Sequence, residues 1–255
     1  MSRFLLLILL LVFTQTVRAQ KPMARIEGGA FAPLFGTTNQ LVTVASFFMD
    51  ETPVTHAEFL DFVKTYPEWR RPTVLRLFAD QNYLKTWESD TTLGKNLNPN
   101  APITNVSWFA ASAYAKSVGK RLPTTDEWEF VAMASRDNKD ARKDSLFNVS
   151  ILSWYETPNT FTQSIRRTEP NFWGVFDLYG LVWEWTEDFN SVLLTGESRG
   201  DVDSNNTLFC GGGAVGASDL MNYAAFMRFA FKGSLKAHFA VQNLGFRCVK
   251  SEKES

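Results

Sequence analysis

Residues 174–188 read GVFDLYGLVWEWTED. The stretch crowds Phe176, Leu178, Tyr179, Leu181, Val182, Trp183 and Trp185 around two carboxylates, Asp177 and Glu184. In an extended backbone Trp183 and Trp185 share one face while Glu184 points to the other. Gly180 allows a sharp turn just before the aromatic pair. A carboxylate inside so apolar a segment needs partners. Arg228 and Arg247 are the candidates, and a buried arginine–carboxylate pair would then hold two loops together. The other reading is a wall of a site. The segment alone leaves both open.

Working outward, the chain before it carries two sequence signatures of helix starts. Thr55 with Glu58, and Thr124 with Glu127, both have the spacing of a capping box. Phe59, Phe62 and Val63 form the buried stripe of the first helix, which Pro67 ends. Ser107 caps a helix running through Ala115 and stopping at Gly119. Trp128 and Val131 of the next helix face inward. Residues 25–31 read as a strand with a Gly-Gly bend, and the run from Leu41 as a strand that ends in a turn at Pro53. Residues 68–101 read as a long surface loop, 136–145 as a solvated loop, and 146–173 show no single pattern. Beyond a polar loop at 195–207, strands are expected at Leu208–Gly211 and Gly245–Lys250, with a helix after Asp219.

The chain has 255 residues and a formal net charge of −1, so it has no general electrostatic footprint for nucleic acid or an anionic membrane. Arg3, the apolar run Phe4–Phe13 and the site Val17-Arg18-Ala19 read as a secretory signal peptide over residues 1–19. The run falls short of the roughly 20 apolar residues of a membrane span. Residues 20–255 then form one domain, periplasmic or secreted, with no membrane span after cleavage. Two cysteines occur, Cys210 and Cys248. In an exported protein they are read as a disulfide; the alternatives are free thiols, or a metal pair completed by Met221, Met227 or His238.

Several pieces together resemble the formylglycine-generating enzyme, or sulfatase-modifying factor, superfamily. They are IEGGAF (26–31), DETPVTHAEFLDFV (50–63), PITNVSWFAASAYAKSVGKRLPTTDEWEFVA (102–132), GVFDLYGLVWEWTEDF (174–189), CGGGA (210–214) and NLGFRC (243–248). The RLPTTDEWE and WEW pieces are the most specific. The resemblance implies an α+β fold, a variant of the C-type-lectin-like fold with little regular secondary structure and two prominent helices. It also implies a copper-binding cysteine pair and a calcium loop, and this chain departs at both. Gly216 and Met221 stand at the cysteine positions, and no cysteine lies between Cys210 and Cys248. Copper of the family type is therefore not expected. Leu181 stands where relatives carry Asn, which weakens the calcium loop and leaves Glu184 as a weak metal candidate.

The wording is similar to a non-cysteine branch. That branch includes exported accessory proteins of copper nitrite reductases in denitrifying bacteria, and the maturation enzyme that oxidises a pyoverdine precursor. An accessory or maturation factor for a periplasmic redox partner is expected. The alternatives are a metal- or oxygen-dependent oxidase of a peptide-like or catechol-like substrate, and a non-enzymatic lectin-like binding module. Candidate polar residues of a site are Glu184, Asp219, Arg228 and His238, in a pocket between residues 174–188 and 214–240. Asp219 is also read as a helix cap, Arg228 as a snorkelling or anion-clamping residue, and His56 as a hydrogen-bonding residue at a helix start. Gly211–Gly213 lacks the Lys and Ser/Thr of a phosphate loop.

Overall fold

The computed structural model describes residues 21–34, 41–190 and 220–252. The expected signal segment and its cleavage site, the Leu208–Gly211 strand, Gly211–Gly213, Cys210, Gly216, Asp219 and the Met221 side chain lie outside the described residues. Seven short strands and five α-helices are present among them, with long irregular connections.

A three-stranded antiparallel sheet joins the two ends of the described chain. Strand β4 (Phe47–Asp50) pairs with β1 (Met23–Ile26) on one side and with β7 (Val249–Ser251) on the other. Strands β2 (Gly29–Phe31) and β3 (Val42–Val44) form a second antiparallel pair. The expected single strand from Leu41 is thus two strands in different sheets, broken at Ala45–Ser46. Gly28 makes the approach there: a Cβ on it would sit 2.4 Å from the Val44 carbonyl.

Helix α1 (His56–Thr65) and helix α3 (Thr125–Ala132) start as the sequence predicts. The Thr55 hydroxyl accepts from the Glu58 N–H, and the Glu58 carboxylate accepts from the Thr55 N–H; Thr124 and Glu127 repeat the arrangement. Helix α2 (Trp108–Ser117) is capped by Ser107. Its end comes at Gly119, whose φ of +69° is the left-handed conformation that glycine adopts without strain. Helix α4 (Ser145–Glu156), in a region without a clear sequence pattern, is capped by Asp144. It was hidden because few of its residues are buried and Leu146 and Val149 are exposed, so no stripe marks it. The last helix is α5 (Leu220–Gly233), where a helix after Asp219 was expected.

Two cores flank the central stretch. One gathers α1, α2, Trp185 and Phe246; the other sits between the three-stranded sheet, α3 and Val175–Leu178. The 68–101 segment is irregular, as expected, but it does not merely run over the surface. Ala79, Tyr83, Leu84 and Trp87 are buried in the first core. Fixed side-chain bonds anchor it: Trp87 donates its indole N–H to His56 Nδ1 at 3.1 Å, and Tyr83 donates to the Trp69 carbonyl at 2.9 Å. Among the described residues no helix is long and apolar enough to cross a membrane.

Candidate functional site

The central stretch holds its shape through carboxylates. Asp177, at φ +59°, accepts from the backbone N–H groups of Arg166, Arg167 and Thr168, pinning a second loop beneath the turn. Gly174 supplies the other positive φ, of +83°. Gly180 is needed for space rather than for φ: a Cβ there would lie 2.9 Å from Thr168 and 3.3 Å from the Trp154 ring.

After that turn, β5 (Trp183–Glu184) pairs in parallel with β6 (Leu244–Gly245). Gly245 lets the Ile103 backbone pack close against β6, since a Cβ on it would meet the Ile103 carbonyl at 2.5 Å. The expected Gly245–Lys250 strand is therefore interrupted. Between β6 and β7 the chain turns Arg247 inward, where the Glu184 carboxylate awaits it.

Glu184 and Arg247 both have side-chain exposures of 0%. Arg247 Nε lies 3.0 and 2.8 Å from the two Glu184 oxygens, and Nη2 lies 2.8 Å from Oε1. The Trp128 indole donates to Oε2 at 2.9 Å. Arg247 also donates to the carbonyls of Asp50, Glu51 and Phe176. Of the two arginines the sequence offered, Arg247 is the partner of Glu184. The pair joins the central stretch, α3 and the C-terminal strands at one point.

Arg228 serves another carboxylate. Its Nε and Nη2 donate to Glu129 at 2.8 and 2.6 Å, and Nη1 donates to the Tyr155 hydroxyl at 3.3 Å. Burial alone would raise the Glu129 carboxyl, but the Arg228 charge and hydrogen bonds outweigh it and hold Glu129 below its usual range. Arg228 is a buried clamp, 1% exposed, rather than a snorkelling side chain.

These two pairs border a cavity of about 220 Å³. Its walls come from the central stretch (Leu178–Trp185), the end of α4 and the turn after it, and one face of α5 with Arg228, Phe231, Lys232 and Leu235. Trp183 lies between Tyr155 and Phe231, with ring centroids 4.9 and 5.0 Å away. The cavity lies where the sequence placed a pocket, and Glu184 and Arg228 both line it. His238 does not: its carbonyl accepts from the Asp80 N–H at 2.9 Å, which ties that loop to the 68–101 segment. Asp219 lies outside the described residues.

Sequence reasoning missed Glu129, Tyr155, Trp128 and Lys232 as members of this site. Glu129 and Trp128 sit in the DEWE piece, where the spacing had marked only a cap and a core face. Lys232, four residues after Arg228, falls on the same face of α5. No signal in the sequence distinguishes it from a solvated lysine.

The described residues do not fit the two metals of the family. Cys248, the one cysteine described, is buried in the first core, and its N–H donates to the Asp50 carboxylate. No cysteine is among the cavity's described wall residues. At the calcium loop Leu181 is buried and its carbonyl accepts from the Thr160 hydroxyl at 2.9 Å, while both Glu184 oxygens are taken by Arg247 and Trp128. Among the described residues no three His, Cys, Asp or Glu side chains are grouped to hold a metal ion. His56 is buried, accepts from Trp87, and burial pushes its pKa down to about 4, so it is a neutral structural residue at ordinary pH.

Known proteins resemble this chain. The formylglycine-generating enzyme of Streptomyces coelicolor is 29% identical over 289 residues, a match covering 91% of this chain and 90% of that one. The formylglycine-generating enzyme of Mus musculus is 29% identical over 167 residues, covering 59% of this chain and 44% of that one. Among solved structures, CarF superposes with a TM-score of 0.53 at 16% identity, covering 92% of this chain and 99% of that one, a likeness of fold. The family model described as "Sulfatase-modifying factor enzyme 1-like domain" matches residues 11–252. The chain belongs to that family, and its sparse strands and long loops are the family's α+β fold.

Proposed function

We propose that this chain is an exported, catalytically divergent member of the family that serves as an accessory or maturation factor for a periplasmic redox protein of the copper nitrite reductase type. The observation that carries this reading is the cavity. It is enclosed by segments that carry the family likeness, yet no cysteine is among its described wall residues, and the chain has no cysteine between positions 210 and 248. A cysteine-dependent conversion of a sulfatase peptide needs thiolates there. The binding cavity remains while the family's chemistry is absent from its walls, and that combination suits a partner-binding role.

Two experiments test it. Copper-treated protein incubated with a cysteine-containing sulfatase peptide yields no aldehyde by mass spectrometry; aldehyde formation that disappears in Cys210→Ser overturns the reading. A pull-down from periplasmic extract, with metal quantification of the same sample, recovers a copper-bearing redox protein; recovery of none counts against the accessory role. Export predicts a mature N-terminus near Gln20, read by N-terminal sequencing. It also fits oxidation of Cys210 with Cys248, read by intact mass with and without reductant.

A second reading, an oxidase of a peptide-like or catechol-like substrate, draws on the aromatic walls Trp183, Tyr155 and Phe231, which suit a planar ring. Oxygen uptake with a catechol, with and without added copper, separates it from the first. Binding without turnover or a redox partner would instead favour a lectin-like module.

A further inference from the structure

Among the described residues of this cavity, Lys232 is a buried charge without a hydrogen-bond partner. It is 7% exposed, and its Nζ makes no hydrogen bond. Four acids feel its charge; Asp126 makes no hydrogen bond to it, and the other three are committed elsewhere. Glu129 is held by Arg228, Glu184 by Arg247 and Trp128, and the Asp188 carboxylate accepts from the N–H and hydroxyl of Thr125. What faces the amine instead is the Trp128 ring, 5.6 Å from Nζ to its centroid. An ammonium left without a partner in such a place is costly, and natural structures retain one where something else pairs with it. Arg228, one turn earlier on α5, presents no spare donor pair because its fork is spent on Glu129.

We infer that this cavity binds a carboxylate attached to an aromatic or bulky apolar body, with Lys232 Nζ pairing with the carboxylate and Trp183, Tyr155 and Phe231 enclosing the body. The size supports one residue-sized group. About 220 Å³ is below the roughly 300–1,000 Å³ of ordinary small-molecule sites. One free amine among the described residues suits a monoanion; a phosphate dianion calls for several donors, and the neighbouring guanidinium is occupied. The carboxylate could belong to a free aromatic acid or to the C-terminus of a peptide, which share this chemistry. The inference rests on reading the cavity as a binding site but not on the identity of any protein partner, so a failed pull-down leaves it standing.

The test is titration calorimetry on the full chain with four probes: N-acetylphenylalanine, its carboxamide, the peptide Gly-Gly-Phe, and the same peptide amidated. Quenching of tryptophan fluorescence gives a second readout. At least one free carboxylate should bind tenfold or more tightly than its amide. Binding of the small acid alone assigns a metabolite-like ligand; binding of the peptide as well, or alone, assigns a chain end. Lys232→Met should abolish the preference for the acid and Lys232→Arg should keep it. Equal binding of acids and amides, binding of neither, or tighter binding of phenyl phosphate overturns the proposal. The unliganded Lys232→Met variant should melt at the same temperature as the parent or higher. A clear fall would mean that Lys232 already has a structural partner, and would overturn it too.

Discussion

Two buried carboxylates held by arginines lie on either side of the cavity, and they are built differently. Glu184 and Arg247 have fully buried side chains, and both oxygens of the carboxylate are engaged by two partners, Arg247 and Trp128. Glu129 keeps 13% side-chain exposure, its Arg228 lines the cavity, and one turn along α5 lies an amine with no partner. The first is architecture, a charge pair whose removal would leave three segments unjoined. The second is half architecture, and it stops at Lys232. The contrast teaches that these buried charges are spent on the fold where loops meet, while Lys232, beside the cavity, has no hydrogen-bond partner among the described residues.

The largest effect belongs to the sealed side. Arg247→Met strands the Glu184 carboxylate and should cost about 3–5 kcal/mol in urea unfolding, with much of the loss recovered in the Glu184→Gln/Arg247→Met double variant. A cost under about 1 kcal/mol would break the comparison at its root.

His56, also in the sealed core, should make stability depend on acid. Its folded pKa of about 4 lies below the ordinary value of 6.5, so the unfolded chain binds the proton more readily. Stability is therefore full above about pH 6.5 and falls as the pH drops toward 4, by about 3 kcal/mol in all. His56→Gln, which keeps an acceptor for Trp87, should flatten that part of the melting-temperature profile.

On the cavity side the effects shrink. Arg228→Met should cost about 2 kcal/mol, less than Arg247→Met, because water can reach part of the abandoned Glu129. If the two arginines cost the same, the two sides are not distinct. Thr124→Ala removes one half of the cap on α3, which carries both Trp128 and Glu129. It should cost about 1 kcal/mol by thermal melt and leave the binding of carboxylate probes within a factor of two. Lys232→Met should cost nothing in stability, and it sharpens the contrast by acting on binding alone.

The family and the helix starts were legible before any coordinates. Capping boxes are local: Thr55 with Glu58 and Thr124 with Glu127 need only three residues to declare themselves, and both formed as spaced. The central stretch was legible as a buried carboxylate among aromatics, and the short list of its arginine partners contained the right one. What could not be read was everything set by distance in space. Residues 68–101 have no period, because their buried side chains face a core built by other segments rather than a face of their own element. The choice of Arg247 over Arg228 turned on a parallel pairing of Trp183–Glu184 with Leu244–Gly245, about sixty residues away in sequence, which no local pattern encodes. Lys232 reads in the sequence as an ordinary lysine of a basic helix end. Only the tertiary structure, by burying it with no hydrogen bond to its amine among the described residues, separates it from the lysines that water satisfies.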